Sequence, residues 1–316
     1  LVGLLNTLLV AAVGIVLATL LGFVAGIARL SKNPLLSGIA AAYVETLRNI
    51  PLLLQIFFWY FAVLRAVPER RDKVSLFDTF HLNISGFYFP KPVFAEGSGV
   101  VLAGFAAAII ASFVLGSWAK KRQMSTGQQF PVFKASLAMI FGIPLVLYFI
   151  MGMPISLEHP VFVSDGPVFR RGFTTGVGGV LIPEFLALLF ALSLYTASFI
   201  AEIVRAGILA VSHGQTEAAY ALGLRSGPTL RLVVIPQAMR VIIPPLTSQY
   251  LNLTKNSSLA VAIAYPDLVS VGGTTLNQTG QAIEIVSVWM VVYLSLSVLT
   301  SGFMNWYNKR MALVER

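Results

Sequence analysis

The sequence predicts an all-α integral membrane protein of about seven transmembrane helices with a small extracytoplasmic cap. Three observations carry that reading: 57% of the 316 residues are hydrophobic, only 11% are charged, and long uncharged apolar runs alternate with short basic clusters. Soluble domains carry about a quarter charged residues, so this chain has too little charge to coat a globule in water. A disordered or disulfide-rich secreted class is excluded, because the chain is apolar and contains no cysteine. The net charge of +9 is spread between the apolar blocks, which fits membrane orientation and not a nucleic-acid-binding face.

A helix needs about 20 apolar residues to cross the hydrocarbon. Leu1 to Ala28, Gly99 to Trp118, Ala135 to Leu157 and Ile285 to Asn308 meet that length without a charge. Segments 36–64, 184–208 and 241–265 carry isolated charges but remain strongly apolar. The first run is too long for a signal-peptide core and has no charged region before it, so it reads as a true span. The chain begins with Leu1 and not Met, as expected if another segment precedes it.

Lys and Arg mark cytoplasmic loops. Arg29 and Lys32, then Lys120, Lys121, Arg122 and Lys134, then Arg225, Arg231 and Arg240, then Lys309, Arg310 and Arg316 alternate consistently, so Leu1 is expected outside and Arg316 inside. Trp118, Trp306 and Tyr307 adjoin the inner clusters as interfacial anchors. The outer loops, 65–98 and 158–183, are rich in Gly, Pro and aromatics; their bases are Arg65, Arg70, Arg71, Lys73 and Lys91, then Arg170 and Arg171. Phe87–Pro90 and Val161–Val163 are expected to form short strands there. Three domains follow: 1–65, with two spans; 66–183, an insert with two spans and the outer loops; and 184–316, which holds a long inner loop at 211–240.

Enzymatic chemistry finds no footing. His81, His159 and His213 are scattered without metal-ligand spacing, and no nucleophile elbow, zinc-protease helix or phosphate-binding loop occurs. Neither a metal nor a cofactor is expected in this chain.

The inner loop is the most informative segment. Ser212 with Gln215 is a capping-box pattern, predicting a helix over 213–222 that Gly223 ends in the left-handed conformation. Gly227-Pro228 starts a second helix, Pro236 is expected to interrupt it, and Pro244-Pro245 to begin the next span. The result is a compact knob whose Ala218, Ala219 and Ala221 are small enough to enter a partner's groove, with Glu217 to pair with a partner's base. Glu217-Ala218-Ala219, Gly223 and Val234-Ile235-Pro236 resemble the E-A-A coupling loop of ABC-importer permeases, with twelve residues between Gly223 and Pro236 and Val-Ile-Pro in place of the usual Ile-x-Leu-Pro.

The resemblance continues along the chain. Tyr43 to Gln55 is similar to the second-span signature of polar-amino-acid permeases, and Leu251 to Leu259 to their sixth-element signature. The insert 66–183 resembles that of the general L-amino-acid permeases and the glutamate/glutamine/aspartate/asparagine permeases of Gram-negative bacteria. The resemblance implies a type I ABC-importer permease bundle in a bacterial inner membrane. It also implies a homologous permease as partner, two copies of an ATPase that holds the ATP and Mg, and a periplasmic amino-acid-binding protein. Glu217, Ala218, Ala219, Gly223 and Pro236 are then the ATPase-coupling residues.

Polar groups inside a span suggest function. Gln249, Asn252 and Asn256 recur on one helical face, and Lys255 is placed near mid-depth. Lys255 needs an internal carboxylate, backbone carbonyls or a substrate carboxylate, and a helix break near Asn256-Ser257-Ser258 would favour the substrate. Gln55 either contacts substrate or hydrogen-bonds across helices. Glu45 with Arg48, and Glu202 with Arg205, have the spacing of intrahelical ion pairs, structural or at a permease–permease contact. An ion-gradient-driven carrier or channel, or a membrane scaffold subunit, explains the spans but leaves the knob without purpose.

Overall fold

The computed structural model describes residues 1–164, 172–174 and 176–311; Arg170, Arg171 and Arg316 lie outside the described residues. The chain divides into two compact units, one of Leu1–Val67 with Leu181–Arg316, the other of Pro68–Val180. Among the described residues, six helices are long and apolar enough to cross a membrane, and a bent pair brings the number to as many as seven.

In the first unit, α1 (Val2–Ala28) packs along α6 (Pro183–Leu209), the most deeply buried of the long helices. Small residues permit the approach: a Cβ on Gly22 would meet Ile200 Cγ2 at 2.5 Å, and one on Gly26 would meet the Ala201 carbonyl oxygen at 2.6 Å. Helix α2 (Pro34–Asn49) starts with Asn33 accepting from the Leu35 amide and Pro34 in its first turn. The expected single span 36–64 is broken. Pro51 cannot continue the helix, Ile50 before it is extended, and α3 (Leu52–Phe57), prolonged by a π-helix over Phe58–Val63, leaves at 108° to α2.

Helix α7 (His213–Ala221) follows α6. From Ser226 to Ile263 the chain is then helical without a gap: α8 (Ser226–Thr229), a π-helical turn over Leu230–Val234, α9 (Ile235–Asn256) and a 3₁₀ stretch over Ser257–Ile263. Two proline expectations therefore fail. Pro236 sits in the first turn of α9, where the widened π turn before it makes room for the ring, and Pro244 and Pro245 lie inside α9. The left-handed Ala264 ends the rod, and α10 (Leu268–Thr279), a helix the sequence reading lacked, leads into α11 (Ala282–Met311).

The second unit contains α4 (Ser98–Thr126) and α5 (Val132–Ile150), which pack on each other. The span expected over 135–157 stops at Ile150, because Gly152 and Met153 are left-handed and Ile155–Glu158 is a strand. The strands β1 (Val74–Leu76), β2 (Phe80–Asn83), β3 (Gly86–Phe89) and β8 (Gly179–Leu181) form one sheet in that order. β4 (Lys91–Phe94) pairs β5 (Ile155–Glu158), and β6 (Phe162–Val163) pairs β7 (Gly172–Phe173), both antiparallel. The two predicted strands are β3 and β6. The others are too short, or too polar, to show period-two patterning.

Phe173 is the aromatic centre of this small β-structure. Tyr88 stacks on it at 3.9 Å, Phe162 lies edge-on at 5.0 Å, and His81 is 5.3 Å away. The Lys73 ammonium lies 4.9 Å from the Phe162 ring centre. Burial, aided by the Lys73 charge, holds the His81 imidazole below its ordinary value of 6.5, and burial raises the Tyr88 phenol.

Candidate functional site: the coupling knob and the polar face of its helix

Helix α7 begins at Ser212, as expected, but without the capping box. The Ser212 side chain accepts no cap bond, and Gln215 instead takes a 3.1 Å hydrogen bond from Gln237 Nε2 on α9. That bond ties the knob to the rod. The other end follows expectation. Gly223 has φ of +76°, its amide donates to the Tyr220 carbonyl at 2.9 Å, and the Leu224 amide donates to that of Ala219 at 3.1 Å. These are the two bonds of a Schellman termination, which glycine adopts without the cost of a Cβ.

The termination sets which side chains look outward. Ala219 is buried at 3% exposure against its own chain, whereas Glu217, Ala218 and Ala221 are exposed. The expectation that Ala219 faces a partner is therefore corrected: it seats the knob. Glu217 makes no ion pair among the described residues. Tyr220 and Leu222, which the sequence reading passed over, are exposed beside it, Leu222 at 82%. A large apolar side chain left in water on a short helix outside the spans is the signal that marks them. Pro236 lies on the same rod, at the turn that carries Gln237.

Further along that rod, Gln249, Asn252, Lys255 and Asn256 all belong to α9. Asn252 and Lys255 are exposed, and Gln249 and Asn256 are half-buried. No side-chain hydrogen bond or ion pair engages any of the four among the described residues, so Lys255 has no internal carboxylate. The helix does not unwind at Asn256-Ser257-Ser258; it tightens from α to 3₁₀ and stays continuous to Ile263. A cavity of about 280 Å³ between α1, α9 and α11, lined by Thr19, Phe23, Leu246, Tyr250 and Phe303 among others, includes none of these four residues.

Gln55 lies elsewhere. It is 4% exposed, and its Nε2 donates to the carbonyls of Leu47 at 2.9 Å and Ile50 at 3.0 Å, capping the end of α2 across the bend. No hydrogen bond joins it to Gln249, Asn252, Lys255 or Asn256 among the described residues. The charged pairs also regroup. Glu202 binds Arg205 at 2.6 Å as expected, but it also binds Arg29 of α1, whose other nitrogen reaches Glu45 at 3.4 Å. Glu45 thus pairs with Arg29 and not with Arg48, whose guanidinium lies 5.2 Å from the Phe199 ring centre. This chain of charges staples α1, α2 and α6 at the end where Arg29 leaves α1.

Residues 18–313 match the family described as "Binding-protein-dependent transport system inner membrane component". The chain is 56% identical over 316 residues to the "General L-amino acid transport system permease protein AapQ" of Rhizobium johnstonii, covering 100% of this chain and 77% of that protein. It is 45% identical over 321 residues to the "Glutamate/glutamine/aspartate/asparagine transport system permease protein BztB" of Rhodobacter capsulatus, covering 91% of this chain and 73% of that one. The solved structure described as "Crystal structure of an amino acid ABC transporter with histidines" shares the fold, with a TM-score of 0.56 at 19% identity over 98% of this chain and 92% of the other. With the match spanning nearly the whole chain, from inside α1 to the end of α11, the protein belongs to the binding-protein-dependent transport system inner membrane components.

Proposed function

We propose that the chain is the permease subunit of an ATP-driven amino-acid importer in a bacterial inner membrane, with Leu1 outside and the α7 knob in the cytoplasm. The observation that carries this reading is the knob itself. Glu217, Ala218 and Leu222 project from a short helix, while Ala219 and the Gln215–Gln237 bond lock that helix onto a rod continuous to Ile263. The names of the similar proteins supply the amino-acid cargo.

The mechanism is mechanical. An ATPase on separate subunits, which holds the ATP and Mg, grips the exposed side of α7 through Glu217, Ala218 and Gly223. Its closure moves the knob, and Ala219 and Pro236 keep the knob at a set angle to the rod. The rod carries the motion along α9, whose polar face of Gln249, Asn252, Lys255 and Asn256 lines the pathway with a second, homologous permease. Lys255 faces the substrate carboxylate there, an electrostatic match made stronger where water is scarce. Gln55 serves the bend between α2 and α3. A periplasmic amino-acid-binding protein delivers the cargo. No observation favours an ion-gradient-driven carrier, which has no use for a rigidly seated knob.

Reconstitution tests the assignment. Glu217→Lys leaves insertion intact, while ATPase co-purification and ATP-driven uptake fall at least about tenfold, the loss expected when a charged contact at an interface is reversed. Uptake at the wild-type rate in that variant, or uptake driven by a proton or sodium gradient without ATP, removes the proposal.

A further inference from the structure

The far end of the rod is built differently from the rest. Residues Ser257–Ile263 form seven consecutive 3₁₀ positions, where runs beyond three or four are uncommon and often mark hinges. Ala264 then adopts the left-handed conformation, with φ of +56°, which a residue with a Cβ takes at a cost. A tightened helix ending in a strained residue holds its shape only if both ends are held.

The next four residues are the clamp. Asn6 Nδ2 of α1 donates to the Pro266 carbonyl at 2.9 Å, and Thr7 Oγ1 of α1 accepts from the Leu268 amide at 3.1 Å. The Leu268 carbonyl accepts from Trp289 Nε1 of α11 at 3.1 Å. Gly3 lies so close that a Cβ there would sit 2.8 Å from the Asp267 carbonyl oxygen. Asp267 organises the turn: it is 1% exposed, and its Oδ1 accepts from the Ser270 amide at 2.8 Å to start α10. Its other oxygen, Oδ2, is buried without a hydrogen-bond partner among the described residues.

We infer that Asp267 is a positioning residue of the transport cycle: it fixes the outer end of the rod to α1 and α11, so that motion of the knob is absorbed by interconversion of Ser257–Ile263 between 3₁₀ and α-helix. Seven residues rise about 2.0 Å each in the 3₁₀ form and about 1.5 Å each in the α form, a stroke of about 3.5 Å without breaking the rod. The stroke displaces Lys255 and Asn256, which adjoin the segment, relative to the anchored turn. The inference rests on the importer reading above.

The chain contains no cysteine, so paired labels can be introduced cleanly. Spin labels at Ser248→Cys on α9 and Val271→Cys on α10 report the stroke in the reconstituted permease–ATPase complex. The expected result is a distance change of about 3 Å between nucleotide-free and ATP-trapped states. Asp267→Ala abolishes that change and raises ATP consumed per substrate about fivefold at unchanged complex yield, the equilibrium equivalent of a lost N-cap. Asp267→Asn keeps the Oδ1 acceptor and behaves as wild type. A wild-type complex that pumps without any distance change overturns the inference, and so does Asp267→Ala with normal stroke and coupling. If Asp267→Ala fails to assemble, the wild-type distance and Asp267→Asn decide. If wild-type uptake does not need ATP, the importer reading has failed instead.

Discussion

An ammonium with no ion-pair partner among the described residues, carried on an apolar helix, is the sharpest single residue in this protein. Lys255 is exposed on α9 and has no carboxylate partner among the described residues, in a segment where a charge is costly to leave unpaired. Lys255→Ala is expected to insert and assemble normally yet lower ATP-driven uptake at least about tenfold, the cost of one lost charge-assisted contact. Measurement of uptake against complex yield checks it, and unchanged uptake for every amino acid would make Lys255 a scaffold residue. Helical spacing alone places Gln249, Asn252 and Asn256 on one face. It does not show that Lys255 lacks an ion-pair partner among the described residues, because such partners come from elsewhere along the chain. The same blindness misassigns Glu45: its partner Arg29 sits on α1, and only the packing of α1 against α2 and α6 brings the two together.

Among the elements, α1 and α6 show how small residues decide a helix contact. Gly22 and Gly26 lie where α6 leaves no room for a side chain. Gly26→Val forces the helices apart at the Ala201 carbonyl and should cost about 2 kcal/mol, the usual penalty for overpacking. Thermal inactivation of the purified complex measures it, with Gly38→Ala, where nothing lies within 4 Å, as the control. The knob is legible for a related reason. A left-handed glycine, a preceding alanine-rich turn and its spacing from Pro236 are local features, and α7 forms where they predict. Prolines are less legible. Pro51 breaks its helix, whereas Pro236, Pro244 and Pro245 are carried inside one. A chain pattern cannot separate these outcomes, because a π turn or a neighbouring helix can satisfy the backbone groups that a proline frees.

Within the whole molecule, the division into two units separates the rod and its knob from the strand-bearing unit. The second unit carries its own pH response. Because the His81 imidazole is held below 6.5 in the folded state, an unfolded chain takes up a proton first as pH falls. The stability of this unit is therefore full above about pH 6.5 and declines as pH drops from there toward the folded-state value. Amide-exchange protection factors across Val74–Phe89 should fall between about pH 7 and pH 5, and His81→Gln should flatten that dependence. A profile with the same slope in His81→Gln would assign the response to another group.

Composition and apolar run lengths determined on their own that this chain lives in a bilayer, and local turn chemistry determined where the short helix α7 lies. Those properties depend on apolar length and on local turn chemistry, which neighbouring residues settle among themselves. Tertiary structure alone decided which alanine of the knob turns inward, that the helical rod runs unbroken to Ile263, and that the turn beyond its end, capped by Asp267, meets α1. Each of these depends on groups brought together from distant parts of the chain, such as Gln215 with Gln237 and Thr7 with Leu268, and no periodicity along the sequence encodes such meetings.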